Sequence, residues 1–408
     1  MRSKALRSIY MLVVPGGLIL AAAFAIVRFY HFPVEVDAIL PWLPYAVVVA
    51  GVLLSMRFNC GRIMWTLILL AMVDGVLRSY GVRRPDLSGT IFACVSLLTP
   101  VNLMILSMTP ERGATRRVTG SWLFLILCEV AAVVALCTLE PAGANEFLHT
   151  TLVDWPPLSA SQLSQVSLFA FVLATIVLLV NFLESPRPSE SGLFWMLVCA
   201  FLLLNHPLDA VMFGYIGSIA GIILIVSLVE TSYHMAFLDE LTGLPGRRAF
   251  HDATSKLGWN YTLAMVDVDH FKQFNDTYGH DCGDQVLRLV AAKLAVAPGK
   301  AQAFRYGGEE FCLIFHNKTA KQTLEHLDDL RQQIAETKFK VRAPERRKKP
   351  NGKAKAKTEN KKVQVTVSIG AANFDKRNNL VEKVLVAADK ALYRAKDAGR
   401  NCVMLAAR

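Results

Sequence analysis

The chain has 408 residues, a formal net charge of +11, 53% hydrophobic residues and 19% charged residues. At roughly 150 residues per domain, that length accommodates two or three domains. Soluble domains average about 45–50% apolar and about 25% charged residues, so one ordinary water-soluble domain is excluded, as is a mostly disordered chain, which would be polar. Residues 1–231 carry 13 Lys+Arg and 13 Asp+Glu, so the whole positive surplus falls on residues 232–408. The eight cysteines are scattered, with no C-x-x-C spacing, which argues against a zinc or disulfide framework.

In chain order, residues 1–230 read as a membrane domain. A bilayer core needs about 20 apolar residues per helix. Eight segments are predicted to span, at 9–27, 36–56, 63–81, 89–108, 120–139, 163–183, 191–206 and 211–230. The first is expected to be retained rather than cleaved as a signal peptide, because its uncharged run is long. Placing the N-terminus inside puts nine loop basic residues inside (Arg2, Lys4, Arg7, Arg57, Arg62, Arg112, Arg116, Arg117, Arg187) and four outside (Arg28, Arg78, Arg83, Arg84). That asymmetry follows the positive-inside tendency and puts residues 231–408 in the cytoplasm. Asp74 and Glu129 fall inside predicted spans. Each marks either a ligand or proton site or an interhelical hydrogen bond. Gly214, Gly217 and Gly221 read as ordinary membrane-helix glycines.

Residues 231–238 form a short linker, with no room for a coiled coil or a sensor domain. Beyond it the pattern predicts a helix over 246–256, a strand over 263–268, a helix over 282–296 and a glycine hairpin over 304–315. A helix over 319–338, a strand over 363–371, a helix over 380–397 and a strand over 401–406 follow. This order predicts an α/β or α+β domain, with helices packed on a mostly antiparallel sheet.

The chemistry gathers at strand ends and turns. Asp267 closes a strand, and Glu309–Glu310 follow the Gly307–Gly308 turn. Carboxylates brought together in this way suit Mg²⁺, which shares hard oxygen ligands with substrate phosphates. Lys272, Lys396 and Arg400 offer positive charge to phosphates. Asn275 and Asp284 offer acceptors to the edge of a guanine.

The segments DELTGLPGRRAF (239–250), DVDHFKQFNDTYGHDCGD (267–284), RYGGEEF (305–311), TVSIGAA (366–372) and ADKALYRAKDAGRN (388–401) closely resemble the GGDEF family of diguanylate cyclases. The resemblance implies a ferredoxin-like domain, related to polymerase palm and nucleotide-cyclase domains, over residues 239–408. It implies an enzyme that condenses two GTP into cyclic di-GMP and two pyrophosphates, with Mg²⁺ or Mn²⁺, as a homodimer holding one GTP per subunit. Carried over by motif position, Asp267, the Val268 carbonyl and Glu309 are metal ligands, and Glu309 and Glu310 are catalytic. Asn275 and Asp284 read guanine, and His280 is a further substrate contact. Lys272, Lys396 and Arg400 contact phosphate, with backbone N–H groups near His270 and Phe271. Asp269 is expected to face away from Asp267 and to be structural. Asp at 284 favours GTP over ATP. The alternative is a membrane receptor or transporter-like protein whose GGDEF domain is catalytically inactive and regulatory.

Three departures from the family pattern stand out. Gly246 replaces an Asn in a turn. Pro298, Gly299, Lys300 and Ala301 occupy the place of the RxxD product-inhibition motif, so no product-inhibition site is expected. Residues 342–362 form an insertion with ten Lys+Arg and two Glu, too polar to form a core. It is expected to be a solvated loop, with anionic lipid headgroups as a possible partner. No nucleic-acid partner is expected, because no recognition helix accompanies the basic run. Together these readings place the protein in the bacterial inner membrane as a multi-pass protein.

Overall fold

The computed structural model describes residues 2–29, 34–83, 88–111, 113, 115–139, 143, 146, 148, 150–154, 161–205, 210–340, 362–375 and 380–407. They form two compact units, residues 1–232 and 233–408. Nearly all of the basic insertion 342–362 lies outside the described residues.

The first unit is helical: α1 (Arg2–Val13), α2 (Gly16–Phe29), α3 (Val34–Ile39), α4 (Leu43–Arg57), α5 (Gly61–Arg83), α6 (Ser88–Met108), α7 (Arg116–Leu139), α8 (Gln165–Glu184), α9 (Pro188–Asn205) and α10 (Ala210–Phe237). Among the described residues six stretches are long and apolar enough to cross a membrane: Val36–Arg57, Gly89–Met108, Val118–Thr138, Gln165–Glu184, Pro188–Asn205 and Val211–Phe237. Six of the eight predicted spans coincide with these stretches, and 9–27 and 63–81 are not among them. The span 9–27 is divided between α1 and α2 at Pro15, which lacks an N–H and whose ring obstructs the preceding turn. The span 63–81 is helical, as α5, but α5 also contains Arg62, Asp74, Arg78 and Arg83.

Two of these charges are internal to the bundle rather than loop charges. Arg62 grips Glu190 through both Nη atoms, at 2.5 and 3.0 Å, and its Nε donates to the Leu106 carbonyl at 2.9 Å. Such a fork satisfies a buried guanidinium. Arg78 donates to Asp74 at 2.6 Å, one helical turn away. Gly214 is a packing glycine after all, since a Cβ there would lie 2.2 Å from the Leu40 carbonyl oxygen. The predicted linker is helical as far as Phe237, because α10 continues through it.

The second unit is a five-stranded sheet in the order β2-β3-β1-β6-β7. Its strands are β1 (Tyr261–Val268), β2 (Gln302–Arg305), β3 (Glu310–His316), β6 (Val367–Asn373) and β7 (Val403–Leu405), and a separate pair is formed by β4 (Phe339–Lys340) and β5 (Lys362–Val363). Only the β6–β7 pairing is parallel among those of the main sheet. The helices are α11 (Arg247–Ser255), α12 (Phe271–Tyr278), α13 (His280–Leu294), α14 (Ala320–Ala335) and α15 (Val381–Asp397).

Side chains alternate across a strand, and β1 divides on that period. Ala264, Val266 and Val268 join the core with Val286, Val290 and Leu327 of α13 and α14. Leu263 and Met265 join the core with Phe250, Val384 and Leu392 of α11 and α15. Helices cover both faces, which is why the strand reads as a continuous apolar run. Each fully buried Leu, Val or Phe contributes roughly 1.5–3 kcal/mol. Gly370 lets α15 approach closely, since a Cβ there would lie 2.0 Å from the Leu392 nitrogen.

Candidate active site

The site assembles where β1 ends beside the β2–β3 turn. The antiparallel register pairs Asp267 with Glu310, and the Val268 N–H donates to the Glu309 carbonyl at 3.4 Å. Asp267 lies on the α15 face, as the alternation requires, and Lys396 near the end of α15 reaches its Oδ1 at 2.9 Å. Burial pushes the Asp267 carboxyl above its usual range, and the Lys396 hydrogen bond and charge only partly offset this. Burial also raises Glu309; the charges of Asp267 and Glu310 add to the rise, and Lys396 opposes it. Arg400 adds a favourable charge at Asp267. Asp267, Glu309, Glu310, Lys396 and Arg400 are thus one electrostatic cluster. Arg400 and Asn401 have positive φ, of 65° and 45°.

The turn itself is held from behind. The Tyr306 and Gly307 N–H groups donate to the Glu310 carbonyl at 2.9 and 3.0 Å. Arg305 Nη2 donates to the Gly308 carbonyl at 2.7 Å, and its Nη1 reaches Asp239 at 2.8 Å. Asp239 also accepts the Thr242 N–H and hydroxyl. Burial would raise the Asp239 carboxyl, but the Thr242 and Arg305 bonds outweigh it and hold the group below its ordinary range. Arg305 and Asp239 were not singled out from sequence. Both lie within the motif segments, but their pairing spans 66 positions.

Asp269 is structural, though not because it faces away. It lies just beyond the end of β1, and its charge reaches Asp267. Its carboxylate accepts Thr366 Oγ1 at 2.7 Å, Ser368 Oγ at 2.6 Å and the Asn401 N–H at 3.1 Å. These bonds tie the segment leading into β6 to the loop after α15.

A second group forms around α12 and α13. His270 precedes α12 in the left-handed conformation, φ 56°, and the N–H groups of the helix's first turn lack intrahelical partners. Phe271 is buried, and Lys272 and His280 are exposed. The connecting residue, Gly279, has φ 85°. Asn275 Oδ1 is buried without a hydrogen-bond partner. It lies against the position of Gly283, where a Cβ would approach to 1.8 Å. Asp284 is the next residue, half-buried. The absence of a side chain at 283 is what admits the Asn275 amide beside Asp284. α12 itself was not predicted from sequence. Its signals were Phe271, Phe274 and Tyr278 at helical spacing, with Gly279 closing the helix.

The donor set suits a hard divalent cation: two carboxylates, Asp267 and Glu309, with the Val268 carbonyl beside them. Among the described residues no three His, Cys, Asp or Glu side chains form a metal cage. The set therefore fits an ion that completes its coordination with substrate phosphates. At the former RxxD position, Pro298–Lys300 form a single tight turn.

A family model described as "Diguanylate cyclase, GGDEF domain" matches residues 236–402. The chain is 36% identical over 173 residues to the diguanylate cyclase VdcA of Vibrio cholerae, covering 41% of this chain and 47% of that protein. It is 32% identical over 187 residues to the response regulator PleD of Caulobacter vibrioides, covering 43% of this chain and 37% of that protein. Among solved structures, the GGDEF domain of DgcB from Caulobacter crescentus in complex with c-di-GMP is 37% identical, with a TM-score of 0.36, covering 42% of this chain and 96% of that one. The chain spans about half of the length of VdcA and less of PleD.

Proposed function

We propose that this chain, whose residues 236–402 are a GGDEF domain, is a membrane-anchored diguanylate cyclase. It condenses two GTP into cyclic di-GMP and two pyrophosphates. The observation that carries this reading is the cluster of Asp267, Glu309, Glu310 and Lys396, in which burial raises the Asp267 and Glu309 carboxyls and the charges of Asp267 and Glu310 add to the rise at Glu309. Such repulsion is relieved by cations and favours the arrival of a cation–phosphate complex.

Asp267, Glu309 and the Val268 carbonyl would hold Mg²⁺ or Mn²⁺. When bound, the ion neutralises phosphate charge and polarises the reacting α-phosphate. Lys396, Arg400 and Lys272 bind the triphosphate, with the N–H groups at His270 and Phe271 beside them. Asn275 and Asp284 accept from the guanine amino group and N1–H, and His280 is a further contact. Glu309, with its raised carboxyl, is suited to accept the proton of the attacking 3′-hydroxyl. Glu310 adds negative charge beside it. One site binds one GTP, so a homodimer places the 3′-hydroxyl of one nucleotide against the α-phosphate of the other. The membrane is the bacterial inner membrane, with the GGDEF domain on the cytoplasmic side, where GTP is available. The basic segment 342–362 carries ten Lys+Arg and two Glu, a charge suited to attract anionic lipid headgroups.

The test is product formation by the full chain in nanodiscs with GTP and Mg²⁺, with Glu309→Ala as control. Cyclic di-GMP from the parent and none from the variant is the expected result. No turnover by a demonstrated dimer would overturn the reading in favour of an inactive regulatory domain.

A further inference from the structure

In the first unit, α5, α6 and α7 line a cavity of about 580 Å³ that is open to the surroundings. That is within the range of small-molecule sites, which are apolar with a few converging polar groups. Its walls are largely aliphatic, including Leu69, Val73 and Val133, with Thr99, Asn102, Glu129 and Thr138 as polar members. Asn102 is 3% exposed, and its Nδ2 donates to Glu129 Oε2 at 2.9 Å. Its Oδ1 has no partner. The nearby Thr99 hydroxyl is spent on the Val95 carbonyl at 2.7 Å. An unpaired acceptor next to a carboxylate, in a largely aliphatic wall whose threonine hydroxyls are spent on backbone carbonyls, is costly unless a donor meets it.

We infer that this cavity is a binding site for a lipophilic amine, whose ammonium is held by Asn102 Oδ1 and the Glu129 carboxylate and whose apolar body fills the space between α5, α6 and α7. Two acceptors call for a group with at least two hydrogens, and the carboxylate calls for a positive one. Depth separates a free amine from a phospholipid headgroup. Glu129 lies near the middle of the apolar stretch Val118–Thr138, roughly 14–16 Å from either end at about 1.5 Å per residue. A headgroup ammonium resides at the interface and does not reach that depth. The ligand therefore enters from the hydrocarbon. α7 offers the route, because its exposed side chains include Leu127, Val130 and Val134.

The test uses the full chain in phosphatidylcholine nanodiscs at pH 7, with dodecylamine as probe and 1-dodecanol as its uncharged counterpart. Binding is read by native mass spectrometry and by the thermal midpoint. Dodecylamine is expected to bind saturably, one per chain, at least tenfold more tightly than dodecanol. Glu129→Gln should remove that preference, and Asn102→Leu should weaken the amine at least tenfold. Val133→Phe fills the cavity from the lipid-facing helix and should abolish saturable binding, so the site is still tested if a polar variant does not fold. Equal binding of amine and alcohol overturns the assignment. So does amine uptake that is non-saturable, or unchanged by Val133→Phe.

Discussion

Replacing Gly283 by Ala separates base recognition from folding. A Cβ at 283 would lie 1.8 Å from Asn275 Oδ1, 2.9 Å from its Cγ and 3.2 Å from Phe271 Cζ. The Asn275 amide must therefore swing away. The move breaks no internal hydrogen bond at Oδ1, which has none, and an off-rotamer side chain costs of order 0.5–1.5 kcal/mol. Against this, Ala in place of Gly inside α13 gains about 0.8–1.0 kcal/mol. The two terms nearly cancel, so the thermal midpoint should shift little. Substrate binding does not enjoy that cancellation. A guanine donor that loses Asn275 is left unpaired in the site, at about 1–3 kcal/mol. The KM for GTP should rise about 5–150-fold, with a smaller change in kcat. Pyrophosphate release over a range of GTP concentrations, alongside thermal unfolding, measures both. An unchanged KM with an unchanged midpoint would refute the role given to Asn275. A large drop in the midpoint would refute the view that the amide can yield.

Glu309→Gln should lower turnover about 10²-fold or more, yet leave thermal stability equal or higher, because it removes a carboxylate that Asp267 opposes; calorimetry beside the activity assay checks this. Arg305→Ala removes both the Asp239 ion pair and the bond to the Gly308 carbonyl and should cost about 1–3 kcal/mol, with activity falling as the turn loosens and Arg305→Lys restoring part of it. Without divalent cations, stability should respond to pH in two opposite ways. Asp267 and Glu309 have raised carboxyls, so their contribution is greatest at low pH and is lost as pH rises through the raised values, whereas that of Asp239, held low, is lost as pH falls through its depressed value. Denaturant melts of the parent and Asp267→Asn should show the first response flattened in the variant. Asp284→Ser should narrow the preference for GTP over ATP in competition assays, and an undiminished preference would contradict its role as a guanine reader.

The elements easiest to read were those whose burial leaves a periodic trace. β1 and the middle of β3 are buried and mostly apolar because helices cover both faces, and α13 and α15 keep one apolar face. Composition misleads where polarity is satisfied internally. Arg62 reads as a loop charge, yet Glu190 and two backbone carbonyls surround it. Pro15 interrupts an otherwise unbroken apolar run, and hydropathy averaging does not register one missing N–H. The helix α12 is only eight residues long, too short to establish a period alone. The span 231–237 looked like a linker because charge and polarity rise there, but nothing in Thr231–Phe237 stops a helix.

The candidate site residues stand in the sequence as types at motif positions, while their electrostatic state does not show there. The motifs place Asp267, Glu309 and Lys396 in different segments, and only the sheet register and the α15 packing put the lysine on the first carboxylate rather than in open solvent. That contact gives the proposed reaction a sequence of exchanges. With Lys396 on Asp267, positive charge already stands where a triphosphate would arrive. A phosphate competes with Asp267 for the same ammonium, and whatever Asp267 loses must come from a cation shared with Glu309, because the two carboxylates repel. Nucleotide and cation are therefore expected to bind with positive coupling, each removing the penalty that the other would meet alone. Lys396→Ala should weaken that coupling even where it leaves cation affinity intact, since the exchange partner is gone.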